Sequence, residues 1–180
     1  MTALDIGVAI DLPEPYAAEL QGWRLRLGDP HADRVPPHIT LLPPTPVPAD
    51  RLPAVREHLL GVAAGQTPFD VRLRGSATFR PVSPVVFVPL VAGISQCELL
   101  QAAVRSGPIA RDLAFPYHPH VTVAHDLDEP ALDRAFEALA DYDAAFTVWG
   151  FTLFDRGRDG TWRPQRDFIL GPAPVRPAVG

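Results

Sequence analysis

Apolar positions along this chain switch between two periods, and the switches mark out the elements. "ALDIGVAIDL" is a near-continuous apolar run that predicts a buried first strand, stopped by Pro13. In "PEPYAAELQGWRLRLG" the period lengthens: Tyr16, Leu20, Trp23 and Leu27 recur at steps of three and four, as on one face of a helix. "HITLL" is a short strand cut by Pro43 and Pro44, and "ADRLPAVREHLLGVAAG" predicts a second helix with Asp50 as N-cap and Gly65 as its stop. "FDVRLRGSATF" alternates like a half-solvated strand, and "VVFVPL" reads as a buried one. "SQCELLQAAVRSG" predicts a third helix, with Ser95 and Glu98 at capping-box spacing. "HVTVAHDL" is a strand, "DEPALDRAFEALADY" a helix with Pro130 in its first turn, and "AFTVWGFTLFDRGRDGTWRPQRDFIL" a closing hairpin turning at Gly157 to Gly160. The Pro/Gly/Ala run over 171–180 predicts a flexible tail.

The order strand, helix, strand, strand occurs twice, over about 36–90 and about 118–170. Each unit opens on the same four-residue pattern, "HITL" at His38 and "HVTV" at His120, about 82 residues apart, which is too long for a solenoid repeat. The expected fold is α+β: residues 1–170 form one bilobal, duplicated domain, with two antiparallel-rich sheets, helices packed outside and a central cleft.

Composition narrows the chemistry. The chain has 180 residues, 47% hydrophobic, and a net charge of -5. An acidic chain is a poor partner for duplex DNA, which is bound through many phosphate contacts. Every basic residue is arginine, so a cationic phosphate contact must be arginine and a lysine nucleophile is excluded. One cysteine, Cys97, rules out an internal disulfide or a multi-cysteine metal site and reads as a small core residue. The sequence shows no apolar run of membrane-spanning length and no basic leader, so a cytoplasmic protein is expected; a monomer is the separate expectation for its assembly.

Alternation along a strand puts His38 and Thr40 on one face and Ile39 and Leu41 on the other. His120 and Thr122 share a face in the same way, opposed by Val121 and Val123. Two imidazoles and two hydroxyls from related strands can then meet in one pocket. A histidine pair can divide acid and base work near neutrality, one ring taking a proton from a nucleophile and the other protonating a leaving oxygen. Hydroxyls and arginines can hold phosphoryl oxygens between them. With unperturbed imidazoles, such a site works best between roughly pH 6 and 8.

These paired H-x-T-x motifs, preceded by Pro37 and Pro119, resemble the signature of the two-histidine (2H) phosphoesterase superfamily, in its 2′-5′ RNA ligase and cyclic phosphodiesterase branch. The resemblance covers nearly the whole chain. It implies a bilobal α/β fold, catalysis without metal or cofactor, and action on RNA 3′ ends or small cyclic nucleotide phosphates. It makes His38 and His120 the acid/base pair and Thr40 and Thr122 phosphate ligands. Relatives often carry arginine where this chain has His125; Arg34, Arg80 and Arg156 are candidate substitutes.

Several residues keep two readings. His118, His120 and His125 are a candidate zinc set, but parity puts His125 on the opposite face unless the strand is bulged. His118 reads as a rim residue of the cleft. Phe115 and Tyr117 are candidates for stacking a base. His31 and His58 read as surface residues, and Trp23, Trp149 and Trp162 as core. Hydrolysis of a terminal 2′,3′-cyclic phosphate is the leading function, with 2′-5′ ligation in the same site or a non-catalytic nucleotide-binding module as the alternatives.

Overall fold

The computed structural model describes residues 3–172, so the expected tail lies outside it from residue 173 on. In chain order the elements are β1 (Ala3–Asp11), α1 (Tyr16–Leu27), β2 (His38–Pro48), α2 (Leu52–Ala64), β3 (Phe69–Arg74), β4 (Ala77–Thr78), β5 (Val85–Ala92), α3 (Ile94–Val104), β6 (His120–His125), α4 (Glu129–Ala138), β7 (Asp143–Val148), β8 (Gly150–Arg156) and β9 (Trp162–Ile169). This is the mixed α/β, antiparallel-rich class that the sequence predicts.

The strands run in the order β7-β3-β5-β6-β2-β1-β8-β9, with β4 on β5. The order is symmetric about the joint between β6 and β2, where the register pairs Ile39 with Val121. The two expected sheets are therefore halves of one nine-stranded sheet. Each half draws strands from both of the units at 36–90 and 118–170: β2 and β1 continue into β8 and β9, while β6 pairs with β5, β5 with β3, and β3 with β7. The helices follow the same symmetry. α1 and α4 pack together against β6, and α2 and α3 pack together with α3 against β2.

One face of the motif strands is sealed beneath these helices. Ile39, Leu41, Leu42, Val121, Val123 and Ala124 are all at most 1% exposed. In both strands two consecutive residues are buried, which strict alternation forbids. The register gives the reason. Val8 and Ala9 of β1 face Leu42 and Thr40, so Leu41 is an extra residue. Val86 and Phe87 of β5 face Ala124 and Thr122, so Val123 is an extra residue. Each is a β-bulge, which re-aims the residues that follow it. The same defect occurs at the fourth position of both motifs.

Some local expectations are corrected. β2 does not stop at Pro43 and Pro44 but runs on to Pro48. Beyond Ile39 its second edge has no partner strand among the described residues, and an open edge tolerates proline. Asp50 does not cap α2; it lies in a 3₁₀ turn, and Arg51 occupies the cap position without a side-chain bond. Ser95 lies inside α3, whose N-cap is Gly93 at φ 82°. A Cβ there would sit 2.6 Å from the Asp70 carbonyl oxygen, so a glycine begins this helix. Asp128 does cap α4, accepting from the Ala131 amide at 2.9 Å.

Ile39 is fully buried at the joint between the halves. Ile39→Ala is expected to cost about 2–5 kcal/mol, and Ile39→Val about 1 kcal/mol, by urea unfolding. Equal and negligible costs would mean that the joint is not packed as described.

Candidate active site

His38 and His120 are held alike. The Nδ1 of His38 lies 2.7 Å from the Pro36 carbonyl oxygen, and that of His120 lies 2.6 Å from the carbonyl oxygen of His118. A carbonyl can only accept, so each Nδ1 carries its proton and donates. Each Nε2 is thereby left available for chemistry. In His38 it lies 3.2 Å from Thr40 Oγ1, within reach of that hydroxyl as donor.

The two rings are packed differently. His38 stacks on Trp162 at 4.7 Å between centroids. Trp162 in turn lies over Gly7, where a Cβ would meet its Cη2 at 3.2 Å, and packs with Ala9 and Phe154. His120 is flanked by Phe79 and Phe87, at 5.2 and 4.9 Å. Burial lowers the pKa of His38 to about 4; its bond to the Pro36 carbonyl opposes this, and the charges of Arg24 and His120 add to it. Burial also lowers the pKa of His120, against its bond to the His118 carbonyl and assisted by the nearby His118.

A buried ion pair organises the approach to His38. Arg24 Nε donates to Asp29 Oδ2 at 2.8 Å, with both side chains at most 6% exposed. The Arg24 guanidinium also donates to the Val35 carbonyl, and Asp29 Oδ1 accepts from the His31 amide at 2.9 Å. These bonds fasten the segment that ends in the Pro36 carbonyl. On the other side the Tyr117 hydroxyl donates to the Thr40 carbonyl at 2.9 Å, tying the segment before β6 to β2. Burial pushes the Tyr117 phenol well above its usual range, so it serves as a neutral donor.

The cleft has two compartments. One, of about 540 Å³, lies beside His38 and is lined by His31, Arg34, Arg156, Arg158 and Trp162. The other, of about 680 Å³, lies beside His120 and is lined by Thr40, Phe79, Phe115, Tyr117 and His118. Thr122 and His125 line both.

The structure thus brings most of the candidate residues together. His125 reaches the cleft because of the bulge at Val123, which overturns the parity argument that placed it on the opposite face. Its Nε2 lies 3.5 Å from Asp126 Oδ1. His118 is exposed and flanks the His120 compartment. Arg34 and Arg156 line the His38 compartment, but Arg80 lines neither. Arg80 is bound to Glu129 at 2.6 Å and Asp133 at 2.9 Å on α4, acidic partners that neighbouring sequence does not announce. Among the described residues no group of three or more His, Cys, Asp or Glu side chains is arranged to hold a metal ion.

Other residues divide: Cys97 lies in the core and His31 is exposed, both as read from the sequence, while others differ. His31 and Arg158 line the His38 compartment. Trp162 is at once buried and in the site, whereas Trp149 is 64% exposed rather than core. His58 is half-buried, its Nε2 3.1 Å from the Ala103 carbonyl oxygen, and Cys97 is fully buried. The signal for Trp162 was present in β1: Gly7 and Ala9 are the small residues that leave room for an indole on that face.

A curled antiparallel sheet with paired histidine and threonine strands facing one cleft is the arrangement of a two-histidine phosphoesterase. A family model described as the 2′-5′ RNA ligase superfamily matches residues 12–160, and the chain belongs to that family. A provisionally named phosphoesterase of Halalkalibacterium halodurans is 29% identical over 170 residues, covering 93% of this chain and 98% of that protein. One of Geobacillus kaustophilus is 26% identical over 167 residues, covering 92% and 95%. Among solved structures, E. coli LigT complexed with 3′-AMP superposes with a TM-score of 0.69 at 23% identity, covering 94% of this chain and 99% of LigT. The same LigT complexed with ATP gives a TM-score of 0.68 at 25% identity, covering 94% and 99%. No helix among the described residues is long and apolar enough to cross a membrane.

The Trp162 stack makes a direct prediction. Trp162→Leu opens the His38 ring to water, so its pKa should rise from about 4 towards the ordinary 6.5. Titration of the His38 ring protons by NMR measures this. An unchanged pKa would show that Trp162 does not shield the imidazole.

Proposed function

We propose that this protein is a metal-independent phosphodiesterase that hydrolyses 2′,3′-cyclic phosphates at RNA 3′ ends or on nucleotides. One observation carries the reading. Both imidazoles donate Nδ1–H to the carbonyl two residues back, which leaves both Nε2 atoms for the cleft, that of His38 3.2 Å from Thr40 Oγ1. The phosphoesterase names of its relatives, and LigT complexes with 3′-AMP, ATP and NADP+, support a phosphorylated nucleotide substrate.

His38 is the general base, because its lowered pKa keeps it neutral over most of the working range. Its Nε2 takes a proton from water as the water oxygen attacks phosphorus. The bond from phosphorus to the 3′ oxygen breaks, and His120 Nε2–H gives its proton to that oxygen, leaving a 2′-phosphomonoester. The anionic phosphate raises the pKa of the adjacent imidazoles, which favours a protonated His120 in the complex. Thr40, Thr122 and His125 hold the phosphoryl oxygens, with Arg34 and Arg156 further out on the His38 side. His118 and Tyr117 border the leaving group, and Tyr117 also positions β2.

A second reading uses the same site. If a 5′-hydroxyl replaces water beside His38, the product is a 2′-5′ linkage. The open compartment on the His38 side leaves room for that second arm.

His38→Ala and His120→Ala should each lower turnover of adenosine 2′,3′-cyclic phosphate by about 100-fold or more, the scale of a lost acid or base. Wild-type activity should survive exhaustive chelation. Near-normal turnover in either folded variant would remove that histidine from the mechanism. Chelator-sensitive activity restored by one metal would overturn the metal-free chemistry. No turnover by the wild type, with the same nucleotide still bound, would favour the binding-module alternative.

A further inference from the structure

Arg24 is a charged side chain at only 5% exposure. A short turn brings its partner back to it. α1 gives way at Gly28, whose φ of 77° lets the Asp29 amide reach the Arg24 carbonyl oxygen at 3.0 Å. The Asp29 carboxylate then lies beside the guanidinium, 2.8 Å from Nε. Nη1 donates to two oxygens, the Val35 carbonyl and Gln21 Oε1, the latter at 3.4 Å. Gln21 is fixed in turn, its Nε2 donating to the Ala32 carbonyl at 2.6 Å. Replacing a buried ion pair by apolar groups is often neutral or stabilising, so stability alone does not account for this one.

Nε and Nη1 are engaged, but Nη2 makes no hydrogen bond among the described residues. No sealed side-chain nitrogen or oxygen of those residues lacks a partner. Nη2 is therefore not sealed, and the space beside it is the His38 compartment, which Arg24 lines. The unpaired N–H groups of a buried cation call for an anionic acceptor, because charge-assisted hydrogen bonds are the strong ones. The charge reaches the site itself: Arg24 is among the causes that lower the pKa of His38.

We infer that Arg24 is a phosphate ligand, its Nη2–H groups donating to a phosphoryl oxygen on the His38 side of the cleft. The inference rests on the proposed phosphodiester chemistry and adds to it a residue from outside both motif strands. The position after the second motif where relatives often carry arginine is His125 here, which is charged only when protonated. Arginine keeps its charge at every working pH. Arg34, Arg156 and Arg158 line the same compartment but are exposed. Salt and water screen an exposed charge, and a loose side chain loses entropy when it binds. Arg24 is already buried and held on two of its three nitrogens, so it can meet charge on a phosphoryl oxygen without reordering. Asp29 balances the guanidinium when no anion is bound. Its own oxygens are turned to Arg24 Nε and to the His31 amide, the latter at 2.9 Å.

The test separates a phosphate ligand from a purely structural ion pair. Asp29→Asn removes the pair but keeps the guanidinium charge. The double variant Arg24→Gln/Asp29→Asn removes the pair and the charge, and leaves no buried ion unpartnered. Adenosine 2′-monophosphate is the probe, with binding measured by calorimetry at low salt. The Asp29→Asn protein should bind it as tightly as wild type or more tightly. The double variant should bind it about tenfold more weakly or worse, the scale of a hydrogen bond to a charged group. Equal weakening in both folded variants, or unchanged binding in the double variant, would make the pair structural and overturn the inference. The wild type supplies a second readout that needs no substitution. The Arg24 side-chain N–H signals in NMR should shift with adenosine 2′-monophosphate and not with adenosine. Signals that stay in place, in a protein that still hydrolyses adenosine 2′,3′-cyclic phosphate, would overturn the Arg24 contact alone. Failure of the wild type on the cyclic phosphate would instead overturn the hydrolysis on which the inference rests.

Discussion

The site depends on one repeated backbone irregularity. A regular strand carries one side chain in every two to the cleft. In β2 and β6 the extra residue, Leu41 or Val123, breaks that rule just after the motif threonine. Two apolar side chains in a row are then buried beneath the helices, and the next residue turns back to the cleft. In β6 that residue is His125, which joins Thr122 where the compartments meet. The irregularity costs ladder hydrogen bonds, and burial of Leu41, Leu42, Val123 and Ala124 offsets the loss.

The halves are related by symmetry, yet the surroundings of the two imidazoles differ. Each ring is oriented by a carbonyl two residues earlier. His38 lies under an indole and beside the Arg24–Asp29 pair, while His120 lies between two phenylalanines and opens onto an apolar wall. A symmetric scaffold thus presents two imidazoles in unlike surroundings. That difference supports the assignment of distinct roles to rings that the sequence presents as equivalents.

Much of this was legible in the sequence because it is local. The H-x-T-x parity, the four helices and the αβ class follow from periodicity over a few residues. What was hidden is non-local or breaks the period. His125 was assigned to the wrong face because period two was carried through a bulge, although two adjacent apolar residues after each motif threonine signalled it. Pro43 and Pro44 suggested a strand end, because the open edge of β2 cannot be seen without its neighbours. Arg80 looked available, because Glu129 and Asp133 lie about 50 residues away in the chain. Trp162 looked like core, and it is, but its buried face is also the floor beneath His38.

The pH dependence of kcat/KM on a 2′,3′-cyclic phosphate tests the central claim most directly. The phosphodiester keeps its charge across the range, so the limbs report the coupled imidazole pair. The base must be neutral, and burial holds His38 at about 4, so the acid limb should fall near there. The acid must be protonated, and the pKa of His120 is lowered from 6.5, so the alkaline limb should begin below that value. The account therefore predicts a bell with its optimum between roughly pH 4 and 6.5, more acidic than the pH 6 to 8 of an unperturbed pair. A profile flat from about pH 5 to 9, with chemistry shown to be rate-limiting, would contradict two-histidine catalysis in this cleft.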